Sequence, residues 1–152
     1  LKIYQQTNSI NFEVLKKFYK DKGIDCELFD FKEDISNLMS KSNICITRAG
    51  ASTLAELVFL NLPCVAIPLP TSKDNHQFEN AFFYNEIGCN WILNQNEIND
   101  EDVANKLFNI VENKNDLLVK KINMKNFSYQ NTWNNINQKI ISVINENRIS
   151  KN

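Results

Sequence analysis

Short apolar runs with strand character alternate with amphipathic helical segments along most of this chain, and that alternation restricts the fold more than any single residue does. Leu1 to Gln6 reads as a strand. Asn11 to Lys22 has helical spacing, with Phe12, Leu15, Phe18 and Tyr19 on one face and Gly23 at its end. Cys26 to Phe31 is a second strand, and Asp34 to Lys41 a short helix with Ile35, Leu38 and Met39 turned inward. A third strand, Asn43 to Thr47, leads to a helix from Ser52 to Asn61. A fourth strand, Pro63 to Leu69, leads to a helix from Asn75 to Glu86 closed by Gly88. Cys89 to Leu93 is a fifth, short strand, and from Asn99 onward the pattern is helical, as two or three helices. Strand–helix alternation of this kind builds βαβ units on a parallel sheet with right-handed crossovers. The runs Ile44-Cys45-Ile46 and Val65-Ala66-Ile67 lack polar alternation, as strands covered on both faces do. The expected fold is therefore α/β: one domain, a Rossmann-like parallel sheet with helices on both faces, and a helical C-terminal region.

Composition removes several classes. The 152 residues fit one domain with a real core. Lys and Arg number 17 against 18 Asp and Glu, which leaves no basic footprint for nucleic acid. No apolar run approaches the roughly 20 residues of a membrane span, and no signal peptide opens the chain. Leu1 lies inside a strand-like run, which reads as a boundary cut through a domain. Cys26, Cys45, Cys64 and Cys89 are widely spaced, mostly in or beside apolar runs, and read as reduced, buried thiols. His76 is the only histidine and no cysteine pair is close in sequence, so no metal is expected. Neither G-x-G-x-x-G nor a P-loop occurs, so the usual NAD and ATP fingerprints are missing and no cofactor is expected.

Ligands of an open parallel sheet lie at the carboxyl ends of its strands. Here those ends carry Gln6-Thr7, then Phe31-Lys32-Glu33, then Thr47 to Thr53, then Pro68 to Gln77. In the third loop, Gly50 and Ala51 allow close backbone approach, and Ser52 and Thr53 open a helix whose free N–H groups suit a phosphate or diphosphate. Glu56, one turn on, can accept both hydroxyls of a ribose; Thr53-Leu54-Ala55-Glu56 equally fits a capping box. In the fourth loop, Asp74 precedes a helix beginning Asn75-His76-Gln77, and His76 and Asn80 share a face. Such neutral donors and acceptors suit sugar hydroxyls, while Asp74 and Gln77 also fit a second capping box and His76 a structural role. No nucleophile stands at motif spacing from His76, so a hydrolase triad has little support. Phe31 either stacks on a flat ring or belongs to the core.

The ordered blocks Thr47-Arg48-Ala49-Gly50-Ala51-Ser52-Thr53-Leu54-Ala55-Glu56-Leu57, Leu62-Pro63, Ile67-Pro68, Asp74-Asn75-His76-Gln77 and Asn80-Ala81 resemble the MurG family of bacterial UDP-N-acetylglucosamine transferases. Gln6-Thr7 and Phe31 to Ile35 extend the similarity, with Asn8, Lys32 and Glu33 departing from the family pattern. The resemblance implies the carboxyl-terminal, donor-binding half of a GT-B glycosyltransferase, truncated at its N-terminus and without the acceptor domain. It implies an inverting, metal-independent transfer of GlcNAc to lipid I, giving lipid II for peptidoglycan. By that resemblance the Lys32 backbone reads the uracil edge with Phe31 near the ring. Glu56 binds the ribose, Ser52 and Thr53 meet the diphosphate, and Gly50 and Ala51 count with the substrate-binding residues. His76, Gln77 and Asn80 address GlcNAc and the nearby phosphate, and Arg48 supports its loop or faces the diphosphate. The catalytic base is expected in the missing domain, so this chain alone is expected to be inactive. The whole enzyme is expected in the cytoplasm, peripheral on the inner face of the plasma membrane.

Two other readings fit the same residues. One is the short catalytic subunit of a two-component lipid-linked GlcNAc transferase; the other is a different UDP-sugar enzyme or a non-catalytic UDP-sugar-binding module.

Overall fold

A computed structural model describes residues 1–98, 100–130 and 133–149. Strand β1 (Lys2–Gln6) leads through α1 (Phe12–Asp21) to β2 (Asp25–Phe29), and α2 (Ile35–Ser40) follows. Then come β3 (Cys45–Thr47), α3 (Ala51–Phe59), β4 (Cys64–Ala66), α4 (His76–Glu86) and β5 (Asn90–Ile92). Helices α5 (Asp100–Glu112), α6 (Lys114–Gln130) and α7 (Trp133–Ile149) complete the order. The strands form two parallel sheets, β1–β2 and β3–β4–β5, flanked by helices, which bears out the α/β reading. The chain divides into two compact units, Leu1–Lys41 and Ser42–Asn152.

In the first unit β1 and β2 pair in register from Lys2↔Asp25 to Gln6↔Phe29, and Thr7 extends the ladder by donating to the Phe29 carbonyl (2.8 Å). Of the face expected to point inward on α1, Phe12, Leu15 and Tyr19 are half-buried, whereas Phe18 stays 52% exposed. Leu38 of α2 is buried, with Ile35 and Met39 partly so. Phe31 lies past the end of β2 and is 77% exposed; the expected strand to Phe31 stops two residues short, and the alternative that Phe31 is core does not hold.

The second unit holds the larger core. Leu54, Leu57 and Val58 of α3, Cys64, Val65 and Ala66 of β4, and Ala81 of α4 are all buried. β4 is central and shorter than the expected Pro63 to Leu69, because proline at 63 and 68 supplies no N–H to a ladder. Register places Cys45, Cys64 and Asn90 in one row, and Asn90 donates Nδ2 to the Ala81 carbonyl of α4 (3.1 Å). Trp91, in the alternate row, donates Nε1 to Asp116 (2.9 Å) and carries the Lys120 ammonium 4.4 Å above its ring. Farther along α6, Met124 packs with Val58 and Cys89, and Ser128 donates to the Val58 carbonyl (3.3 Å).

Three helices that feed strands end in the same way. Gly23, Asn61 and Gly88 have φ of +65°, +53° and +72° after α1, α3 and α4. Each is followed by a residue whose N–H reaches back to the helix: Ile24 to Tyr19, Leu62 to Leu57 and Cys89 to Tyr84, at 2.9, 2.9 and 2.8 Å. Together with Gly23 to Lys20, Asn61 to Val58 and Gly88 to Asn85, these bonds make three Schellman caps. The left-handed residue turns the chain straight into the next strand.

Candidate functional site at the carboxyl edge

Helix α3 begins at Ala51, one residue before the expected start, with Gly50 at the N-cap in extended conformation and no side chain capping it. Leu54 N–H makes the first helical bond, to Gly50 O (3.0 Å). Thr53 therefore sits inside the first turn, and the expected alternative of a box with Thr53 as cap does not form. A residue with helical backbone cannot take the extended N-cap geometry that such a box needs. Ser52 is exposed, Thr53 half-buried and Glu56 exposed one turn further on. Ser52 and Glu56 are four apart and share a face.

One guanidinium ties the sheet edge together. Arg48, directly after β3, donates Nη1 to the Ile67 carbonyl just past β4 (3.3 Å) and to Gln95 Oε1 just past β5 (2.6 Å). Ile46, Thr47, Arg48, Ile67, Gln95 and Ile98 line an open cleft of about 360 Å³ there. Gln95 is not among the candidates drawn from the sequence, which come from the loops after the first four strands only; the same logic applied to the fifth strand reaches it.

The loop before α4 differs from expectation. Asp74 is not the helix cap. Asp74 and Asn75 both adopt left-handed backbone (φ +51° and +55°), and Asn75 holds the N-cap position without a side-chain cap. Gln77 does not close a box with Asp74: its Oε1 accepts from Leu69 N–H (3.0 Å), and its own N–H donates to Ser72 Oγ (3.4 Å). A short 3-10 turn, Lys73–Asn75, occupies the place where a cap would stand. His76 is exposed, with Nδ1 2.6 Å from the Lys73 carbonyl. A carbonyl only accepts, so Nδ1 is the donor of this bond. Asn80 donates Nδ2 to Ala49 O (3.2 Å), joining α4 to the loop that opens α3. The second unit thus places Arg48, Gly50, Ala51, Ser52 and Thr53 on the loop and first turn after β3, Glu56 in the next turn, and His76, Gln77 and Asn80 in the first two turns of α4, with Asn80 joining the two segments.

In the first unit, Phe31 and Lys32 follow β2 at the corresponding carboxyl edge. Lys32 pairs with Glu27, lies 5.7 Å from the Phe29 ring centroid, and its hydrogen bond holds the Glu27 carboxyl below its usual range. The Lys32 side chain is therefore occupied, whereas Phe31 presents an open ring.

The thiols are not part of this edge chemistry. Burial pushes Cys64 up to about 12 and Cys45 and Cys89 up to about 11, so all three stay protonated at neutral pH. No helix among the described residues is long and apolar enough to cross a membrane.

Parallel βαβ units with an uncapped helix start, an arginine and an outward carboxylate along one edge define a class: α/β domains that take a ligand at the carboxyl ends of their strands. The chain belongs to the glycosyltransferase family 28 C-terminal domain family, whose profile matches residues 1–138. It is 69% identical over 147 residues to the UDP-N-acetylglucosamine--N-acetylmuramyl-(pentapeptide) pyrophosphoryl-undecaprenol N-acetylglucosamine transferase of Pelagibacter ubique, covering 97% of this chain and 41% of that protein. The protein of the same description from Rickettsia bellii is 36% identical over 113 residues, covering 74% of this chain and 32% of that one. The fold is similar to the crystal structure of Acinetobacter baumannii MurG, with a TM-score of 0.73 at 30% identity, covering 83% of this chain and 37% of that structure. The chain thus spans about two fifths or less of the relatives it matches.

Proposed function

We propose that this chain is the donor-binding domain of a UDP-N-acetylglucosamine transferase that passes GlcNAc to lipid I, forming lipid II in peptidoglycan synthesis. The observation that carries the reading is the start of α3. Amides of Ala51, Ser52 and Thr53 precede the first helical bond and no side chain caps them. A diphosphate is the ligand such a terminus favours, through unpaired N–H groups and the helix dipole. Arg48 lies three residues before the helix and adds a positive charge at the same sheet edge.

The remaining contacts are those that the family resemblance implies. The Glu56 carboxylate, one turn along α3, accepts two ribose hydroxyls. The exposed Phe31 ring lies near uracil, whose edge is read by the Lys32 backbone; engagement of the Lys32 side chain by Glu27 leaves that backbone role intact. The exposed His76 and the amides of Gln77 and Asn80 address the sugar and adjacent phosphate. The acceptor lipid and the general base are assigned to the rest of a longer enzyme, one that works at the inner face of the plasma membrane.

The test is calorimetric titration of the full-length protein with UDP-GlcNAc, UDP-glucose and UDP-galactose. Preferential binding of UDP-GlcNAc is expected. Absence of any uridine nucleotide binding would overturn the assignment, and a preference for another sugar would change the donor.

A further inference from the structure

The geometry assigns Gln95 as a positioning residue for the donor diphosphate: an uncharged partner that aims the Arg48 guanidinium without neutralising it. This rests on the reading that the edge at α3 binds a nucleoside diphosphate. Arg48 and Gln95 are 47 positions apart in sequence, on the loops after β3 and β5, yet Nη1 and Oε1 meet at 2.6 Å. The second acceptor for the same Nη1 is a backbone carbonyl, that of Ile67, after β4. One donor atom is thus fixed from the ends of two further strands, which sets the plane of the guanidinium and leaves its other N–H groups uncommitted to these acceptors. Both acceptors are neutral. A carboxylate in place of Gln95 would make a stronger, charge-assisted bond, but it would cancel the positive charge that an anion at the start of α3 experiences. The choice of an amide over a carboxylate therefore has a physical consequence for binding that it lacks for holding the fold together.

This separates a positioning role from a merely structural one. Gln95→Glu keeps an acceptor at the same reach, so the thermal midpoint should be unchanged or higher, while UDP affinity of the full-length protein should fall about tenfold, the scale of one lost charge-assisted contact. Uridine, which lacks phosphate, should bind both forms alike. Gln95→Met keeps volume but removes the acceptor; UDP affinity should fall by a smaller factor, about threefold, with uridine again unaffected. Gln95→Glu protein that binds UDP as tightly as the unsubstituted protein would overturn the assignment. So would a parallel loss of uridine affinity in either variant, since that points to general disturbance of the domain. If the unsubstituted protein binds no uridine nucleotide, the donor-site reading itself fails and this role goes with it; normal UDP binding that is insensitive to both substitutions removes only the role of Gln95.

Discussion

Asn80 on α4 donates its side-chain amide to the carbonyl of Ala49, 3.2 Å away in the loop that opens α3. Ala49 is fully buried, so that carbonyl lies out of reach of solvent and depends on Asn80. The bond couples the two loops that hold most of the proposed donor site.

Asn80→Ala should therefore destabilise the domain by about 1–3 kcal/mol, the cost of leaving a buried acceptor unpaired. Affinity for UDP should fall along with affinity for UDP-GlcNAc, because the loop bearing the proposed diphosphate cradle loosens. Melting curves and parallel titrations of the two ligands check this; loss confined to UDP-GlcNAc would show that Asn80 acts only through the sugar.

Glu56→Ala isolates binding from folding. The carboxylate is exposed on α3, and alanine is at least as good a helix former, so stability should be unchanged within about 0.5 kcal/mol. UDP affinity should drop by about 1–3 kcal/mol, the range for hydrogen bonds to a charged group. A melt lowered without any change in affinity would argue against the ribose contact.

The two helix ends at Gly88 and Asn61 should respond in opposite directions. A Cβ on Gly88 would lie 2.4 Å from Asn123 Nδ2, which itself donates to the Gly88 carbonyl, and φ is +72°. Gly88→Ala should cost about 2–3 kcal/mol, combining left-handed strain with the displaced bond. Asn61 is left-handed too, and its buried Oδ1 lacks a hydrogen-bond partner. Asn61→Gly should stabilise by about 0.5–1 kcal/mol, since glycine suits this cap position and no orphan acceptor remains. Chemical denaturation of the two variants reads both signs.

Alkaline pH should weaken the fold. An unfolded cysteine loses its proton near pH 9, whereas folded Cys64 holds on to about 12, and Cys45 and Cys89 to about 11. Between these limits the unfolded chain binds fewer protons than the folded one, so stability is intact below about pH 9 and falls as pH rises above it. Urea midpoints measured from pH 7 to 10.5 should decline above pH 9, and serine at 64 should flatten that decline. At pH 8, Cys64 and Cys89 should resist a disulfide reagent until denaturant is added.

Alternation of apolar runs with amphipathic segments settled by itself that the strands are parallel, that helices join them, and that polar and small residues collect at their carboxyl ends. Gly23 and Gly88 marked two helix ends because left-handed backbone is a local demand that glycine meets. The blocks from Thr47 to Leu57 and from Asp74 to Gln77 were readable as carboxyl-edge segments because each directly follows a strand-like run. Capping at the starts of α3 and α4 was not readable. Thr53 with Glu56, and Asp74 with Gln77, have the spacing of capping boxes, but neither box forms: Gln77 bonds Leu69 instead, and α3 starts at Ala51 with Gly50 as its N-cap. Nor could spacing pair Asn80 with Ala49 or Arg48 with Gln95, since those bonds exist only once the crossovers bring strand ends together. Local backbone preference is written in neighbouring residues, whereas which donor meets which acceptor is decided by packing, because only the folded sheet sets residues dozens of positions apart within hydrogen-bonding reach.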